Sequence, residues 1–239
     1  RITKASDDAA GLAVGTSLTS DITVLKQAAT NASHGSSILQ AADGGMSRVS
    51  DIVQRMRSLA TQSLSGAVTD TERGYLDAEF QQLIEEIDGI TSGTRFNDDP
   101  LLDGNGAWAT GVDFRVGTES TDKITVTIAN VNTTGLSIGT LDVGTSATAS
   151  AALTALDTAV ETLSSARADV GALISRFEFR GQVLDTSIEN TEAAQSAIID
   201  VDVAAEQAEL ASTKVLTQAA IAVLSQANEM PQNLLSLLR

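Results

Sequence analysis

The sequence predicts a mainly α-helical protein, an elongated bundle of long helices like a coiled-coil rod, with a small β-hairpin region in its middle. Aromatic residues make up only 3% of the 239 positions, and chains poor in large rings usually pack small and branched aliphatic residues between close helices. Apolar residues recur at steps of three and four over long stretches towards both ends. Between those stretches, over about residues 95–145, the helical period gives way to alternation.

The first helix is predicted over residues 6–65. Ser6 provides a capping hydroxyl, and Asp7 and Asp8 place carboxylates in the first turn, where the helix dipole favours negative charge. We expect only a slight bend where glycines interrupt the helix. The apolar seam persists for roughly six heptads and consists of Leu18, Ile22, Leu25, Ala29, Ala32, Leu39, Ala42, Met46, Val49, Val53, Met56 and Ala60.

Two further helices and one hairpin complete the predicted first domain, residues 1–195. A helix over 70–92 pairs with the first helix in antiparallel orientation through a short loop. In the region 95–145, strands are expected at 112–116 and 124–128, where apolar and polar residues alternate around a polar turn. Helical spacing returns over 149–188 and ends at the polar stretch 189–192.

The remaining segment, residues 196–239, is predicted to be an amphipathic helix that another helix covers. Its apolar seam is narrow, and a lone seam of that width buries too little surface to stabilise a long helix in water. We therefore expect a partner helix in this chain or in another. The residues assigned to this assembly role are Leu216, Val223, Leu234 and Leu235.

Composition argues against several classes of function. The net charge of −16 and the pI near 4.2 disfavour binding to nucleic acid or to an anionic membrane surface. No apolar run approaches the length of a membrane span. The chain has no cysteine and a single histidine, His34, so a histidine-dependent nucleophile triad or a two-histidine zinc motif cannot be assembled. We expect neither an enzyme nor a cofactor.

Two features of the central region admit a binding interpretation. Asp98, Asp99 and Asp103 offer oxygen ligands for Ca²⁺, but their spacing does not fit an EF-hand, and turn-forming carboxylates on a solvent loop are the favoured interpretation. Trp108 could stack on a sugar ring if it were exposed, although a lone Trp in a helical fold more often closes one end of the core.

Six blocks follow one another along the sequence: RITKASDDAAGLAVGTSLTSDI, QRMRSLATQS, EEIDGITSGTRFND, FRVGTESTDKITVTI, SARADVGALISRFEF and QANEMPQNLLSLLR. In this order they resemble the bacterial flagellin family, and the resemblance covers essentially the whole chain. A junction protein between hook and filament shares the general plan, but the C-terminal SLLR and the block before it favour flagellin.

The resemblance implies a structural subunit of the flagellar filament, outside the cell, that self-assembles for motility. Its implied partners are other flagellin subunits, a flagellar export chaperone and the filament cap. The segment 135–148 is too short for an outer variable domain, so the chain resembles the compact type of flagellin. Because Arg1 falls where the resemblance places the start of the rod, we expect the family's N-terminal core segment to be missing.

The resemblance also points to Arg55, Leu59 and Glu79. These residues match rod positions by which the flagellin-sensing Toll-like receptor recognises many flagellins, and subunit packing is the other interpretation of the same face. An alternative function is that of a flagellin-like surface protein that binds a polysaccharide through Trp108 and the neighbouring polar loop. Calcium or glycan binding would distinguish that function from a purely structural one.

Overall fold

A computed structural model describes residues 4–6 and 8–237 of the chain, and the side chains within this part as far as Asn228. The predicted mainly helical class with a small central β-hairpin region is confirmed. The elements follow in the order α1 (Ala9–Ser63), α2 (Asp70–Gly93), β1 (Arg95–Phe96), β2 (Asp99–Pro100), α3 (Ala107–Thr110), β3 (Val112–Arg115), β4 (Lys123–Val126), α4 (Ser146–Ile199) and α5 (Val203–Leu237).

The chain divides into two compact units. The first contains the described parts of residues 1–20 and 191–239, and the second contains residues 21–190. The predicted domain boundary at residue 195 therefore falls inside the first unit. Within that unit, the Gln195 amide donates a hydrogen bond of 2.7 Å to Thr19, and Ile199 lies so close to Gly15 that a Cβ there would meet its Cδ1 at 2.5 Å.

The seam predicted for the first helix forms the core of the second unit. From Ile22 to Ala60 its members are buried, apart from Ala29, which is half-buried. Helix α1 continues without interruption through Gly35 and Gly45, and at both positions another part of the protein approaches the helix too closely for a side chain. A Cβ on Gly35 would lie 2.7 Å from Cζ of Phe177, and one on Gly45 would lie 2.7 Å from Cδ1 of Leu102.

The turn between α1 and α2 is fixed by two capping arrangements. Thr69 and Glu72 form a capping box at the start of α2, which satisfies two backbone amides that the first helical turn leaves free. Arg73 is 9% exposed and donates hydrogen bonds to the carbonyls of Ser63 at 2.9 Å and Ser65 at 3.2 Å. A cation at the C-terminal end of α1 also suits the helix dipole.

Helix α4 is longer than the sequence predicted. It runs over Ser146–Ile199, whereas the prediction was 149–188 with an end at the polar stretch 189–192. Glu, Asn and Thr in that stretch are largely exposed, and polar side chains on the solvent face do not interrupt a helix. The polar residue that does mark a helix boundary lies further on. Asp202 caps the start of α5 by accepting hydrogen bonds from the amides of Ala204 and Ala205.

The predicted central hairpin is confirmed, with strands shorter than expected. Strands β3 and β4 are antiparallel, and Val112 pairs with Val126 and Phe114 with Ile124. These four side chains face the core, as alternation requires. A second, very small hairpin was not predicted. Strands β1 and β2 pair across Asn97 and Asp98, whose φ angles are 51° and 67°, the left-handed backbone that a two-residue hairpin turn needs.

Replacing Phe177 by Ala should be far more costly than the same change at Phe179. The Phe177 ring is 1% exposed and fills the space left by Gly35, so Phe177→Ala should lower the free energy of unfolding by about 3–5 kcal/mol. Phe179 is 69% exposed, and Phe179→Ala should change it by less than about 0.5 kcal/mol. Urea unfolding followed by circular dichroism measures both variants, and equal losses would contradict this packing.

Candidate functional site

Helix α5 presents its apolar residues to solvent. Every described side chain in this helix, from Val203 to Asn228, is exposed. The seam residues Leu216 and Val223 are 66% and 67% exposed. Leu234 and Leu235, assigned to the same role, lie in the helix where side chains are outside the described part of the chain. Large apolar residues so exposed along one helix are typical of a surface that another protein covers.

The three residues implied by the resemblance do not all share one surface. Glu79 on α2 accepts two hydrogen bonds from Arg55 on α1, from Nε at 2.8 Å and from Nη2 at 2.6 Å. The side chain of Arg55 is 54% exposed and that of Glu79 is 43% exposed. Leu59, by contrast, is fully buried in the core. Its assignment as a contact residue is therefore corrected, because its position on the seam face of α1 directs it inward.

Trp108 is 6% exposed, which contradicts its assignment as a sugar-stacking residue. Its ring lies edge-on to Phe96, with centroids 6.2 Å apart, and 6.3 Å from Phe114, which in turn meets Phe177 at 5.5 Å. Such offset and edge contacts are the preferred geometries of aromatic pairs. The four rings join the small hairpins to α4, so Trp108 belongs to the core, the alternative that sequence reasoning favoured.

The acidic loop residues lie in turns and in the small hairpin, with Asp99 in strand β2. Asp98 occupies the left-handed turn between β1 and β2. Asp103 accepts a hydrogen bond of 2.9 Å from the amide of Asn105, which is the geometry of an Asx turn. Among the described residues no group of three or more His, Asp or Glu side chains is arranged to hold a metal ion.

The central hairpin is tied together by charged side chains. Lys123 and Thr125 each donate a hydrogen bond of 2.6 Å to Asp113 across the strand pair. The hydrogen bond from Lys123, followed by that from Thr125, lowers the pKa of Asp113, since both stabilise the carboxylate form. Arg180 of α4 donates to the carbonyl of Val116 at 2.8 Å and approaches Asp122 at 3.3 Å.

Two exposed aromatic residues were missed by sequence reasoning. Tyr75 on α2 is 73% exposed and Phe179 on α4 is 69% exposed. Each lies off the apolar seam of its helix. The signal in the sequence was an aromatic residue on the helix face opposite the apolar seam. A ring in that position is exposed to solvent and does not contribute to the core.

Long helices with narrow buried seams, and one helix whose apolar residues lie exposed, define a class of structural proteins that assemble through their helices. The sequence profile of the bacterial flagellin N-terminal helical region matches residues 1–107, and that of the C-terminal helical region matches residues 153–238. The chain belongs to the bacterial flagellin family. It is a structural subunit of the extracellular flagellar filament.

Individual relatives agree with this assignment. The chain is 38% identical to a flagellin of Halalkalibacterium halodurans and 36% identical to the flagellar filament 33 kDa core protein of Treponema phagedenis, in each case over the whole chain and 88% of the relative. The crystal structure of Bacillus cereus flagellin matches with a TM-score of 0.58 and 32% identity, covering 64% of this chain and 88% of that one.

A more distant structure shares the fold alone. A putative flagellar hook-associated protein from Vibrio parahaemolyticus matches with a TM-score of 0.67 at 14% identity, over 81% of this chain and all of that one. As for membranes, none of the helices in the described part of the chain combines the length and apolarity that a span requires.

Because Trp108 is the chain's single tryptophan, its fluorescence reports the burial directly. We expect acrylamide to quench the folded protein several-fold less efficiently than the urea-unfolded chain, which serves as the control, because the ring is enclosed by Phe96 and Phe114. Added polysaccharide should leave the emission unchanged. Equal quenching in the folded and unfolded states would show that the ring is accessible.

Proposed function

We propose that α5 is the surface through which the subunit joins other subunits of the filament. The single observation that carries this proposal is the exposure of its apolar seam, where Leu216 and Val223 are 66% and 67% exposed and the adjacent Leu224 is 62% exposed. Hiding each such side chain from water stabilises an assembly by about 1.5–3 kcal/mol. A stripe that repeats along several turns offers many of these contacts at once.

The same stripe requires protection before assembly. An exposed row of apolar residues on a helix favours unspecific association, and an amphipathic helix is readily held in the apolar groove of another protein. We propose that a flagellar export chaperone covers α5 before export and that the filament cap guides it into place afterwards. The role of the protein is then purely structural, without a catalysed reaction.

A second proposed contact is the pair formed by Arg55 and Glu79. Both side chains are about half exposed, and the pair is held by hydrogen bonds between α1 and α2. A positioned arginine beside a carboxylate is a common centre of recognition surfaces. We propose that the flagellin-sensing Toll-like receptor recognises this pair, with Leu59 contributing only by fixing the backbone of α1 from the core.

Introducing charge into the seam of α5 should prevent assembly. In Leu216→Asp combined with Val223→Asp, two apolar contacts are lost and two carboxylates are placed in an interface, so the subunit concentration needed for filaments should rise roughly 100-fold or more. Sedimentation and negative-stain electron microscopy measure this. Gln218→Asp combined with Ser225→Asp is the matched control, because those positions have the same spacing on the opposite face of α5 and should leave assembly nearly unchanged.

The assembly prediction fails if the seam variant polymerises at the wild-type concentration. Circular dichroism of both variants provides the check on folding. The described side chains of α5 are exposed, so neither variant should lose helix elsewhere in the chain. A variant that unfolds as a whole would show that α5 stabilises the monomer rather than the filament.

Removing the Arg55 side chain should weaken receptor binding. We expect Arg55→Ala to lower the affinity of the soluble subunit for the receptor ectodomain by about tenfold, because a central arginine is among the costliest interface residues to truncate. Surface plasmon resonance gives the affinity. Arg48→Ala is the control, since Arg48 is also on α1 and pairs with Asp51 at the surface; the same loss in both variants would rule out a specific contact.

A further inference from the structure

Residues 21–190 carry a hollow that is positively charged although the chain as a whole is strongly acidic. It lies between the hairpin turn and α4, has a volume of about 410 Å³, and is bordered by Asp122, Lys123, Arg176, Phe179, Arg180 and Val183. Its border holds three cations and one carboxylate, in a chain whose net charge is −16. Lys123 pairs with Asp113 and Arg180 with Asp122, so Arg176 is the bordering cation for which the described residues provide no carboxylate. We call this site the basic hollow. Its size is within the range that accepts ring-containing ligands.

One side of the basic hollow is a helical stripe without a partner. Arg176, Phe179 and Val183 follow one another at steps of three and four, so they share one face of α4. Phe179 and Val183 are 69% and 54% exposed. Within the described part of the chain Arg176 has neither a hydrogen-bond partner nor an ion-pair partner. An apolar pair beside an unpaired guanidinium suits an acidic surface that contains an aromatic ring.

A surface of that kind exists on α2 of the same protein. Among the 24 residues of this helix are seven Asp or Glu and one Arg, a net charge of −6. Tyr75, Glu79 and Glu86 lie on one exposed face at steps of four and seven. Tyr75 is the most exposed aromatic residue in the described part of the chain, at 73%. We call the three the acidic stripe.

The basic hollow and the acidic stripe of one molecule are too far apart to meet. Along α1, the hollow lies at the level of Gly35, which contacts Phe177. The stripe lies at the level of Arg55, which binds Glu79. The intervening twenty residues of helix correspond to roughly 30 Å at 1.5 Å per residue. Each surface is therefore available only to another molecule.

We propose that the acidic stripe of one subunit docks in the basic hollow of a second copy, with Tyr75 against Phe179 and Val183, and Glu86 near Arg176. The two surfaces are different, so the contact is heterologous and each copy keeps one of each kind free. Contacts of that type extend into open assemblies rather than closing into dimers. The proposal rests on the filament role of the protein and names one of the contacts between its subunits.

Charge complementarity favours a second copy over other occupants. Two molecules of charge −16 repel each other, and placing Glu86 of the acidic helix near the unpaired Arg176 offsets part of that repulsion where they touch. Phe179 and Tyr75 would each lose most of their exposure in the same contact. The proposed contact would thus bury the exposed apolar residues of both surfaces.

Disulfide trapping tests the contact, because the chain has no cysteine of its own. Subunits carrying Tyr75→Cys are mixed with subunits carrying Phe179→Cys, assembled into filaments and oxidised. Dimers between the two variants should form in most subunit pairs, whereas either variant alone should give almost none, as expected for a heterologous contact. Tyr75→Cys mixed with Asp185→Cys is the matched control, since Asp185 is exposed on α4 beside a different hollow.

Exchange of charges provides a second measurement that does not depend on the cysteine variants assembling. Arg176→Glu should raise the subunit concentration needed for filaments several-fold, and adding Glu86→Arg in the same chain should restore most of it. Filaments that form without the mixed dimer, or without this rescue, would overturn the contact and leave the filament role intact. Wild-type subunits that never polymerise would overturn the filament role and the contact together.

Discussion

The close approach of α1 and α4 at Gly35 is the constraint on which the rest of residues 21–190 depends. A glycine there leaves room for the whole ring of Phe177, and any Cβ would collide with it. The buried ring then anchors Phe114 of the hairpin at 5.5 Å, and Phe114 anchors Trp108. One missing side chain on a helix thus sets the position of a β element that is distant in sequence. Close packing transmits such constraints because core space is filled nearly as in a crystal.

Carboxylates on α2 hold the irregular segment between β4 and α4. Asp88 accepts hydrogen bonds from the amide and hydroxyl of Thr133 at 3.0 and 2.8 Å, and Asp77 accepts from the amide of Val143 at 2.9 Å. A loop without regular structure still has to pair its buried amides. Part of the acidic composition therefore serves to satisfy the backbone of residues 129–145.

The sequence predicted the helices well because a buried seam leaves a period that local reasoning detects. It predicted the end of α4 too early, since the exposed polar residues near Asn190 resemble a loop although the helix continues to Ile199. Two-residue strands such as β1 have no period to detect. Site residues were harder to predict. The motif that includes Arg55 also contains Leu59, and only the orientation of α1 about its own axis shows that the Arg55 side chain faces solvent and the Leu59 side chain faces the core. The burial of Trp108 depends on how the two small hairpins bring Phe96 and Phe114 against it, which no period in the sequence indicates.

The long sequence separation of the contacts between α1 and α4 affects when the core can form. Asp43 pairs with Arg167 across 124 positions, whereas α1 and α2 are joined by a short turn. Closing a long loop costs chain entropy that no local contact offsets. The antiparallel pair of α1 and α2 can therefore form before the core, and the rings of the hairpin lack their contact with Phe177 until α4 packs. The core of residues 21–190 is therefore completed only when α4 packs against α1, late in the order in which its contacts can form.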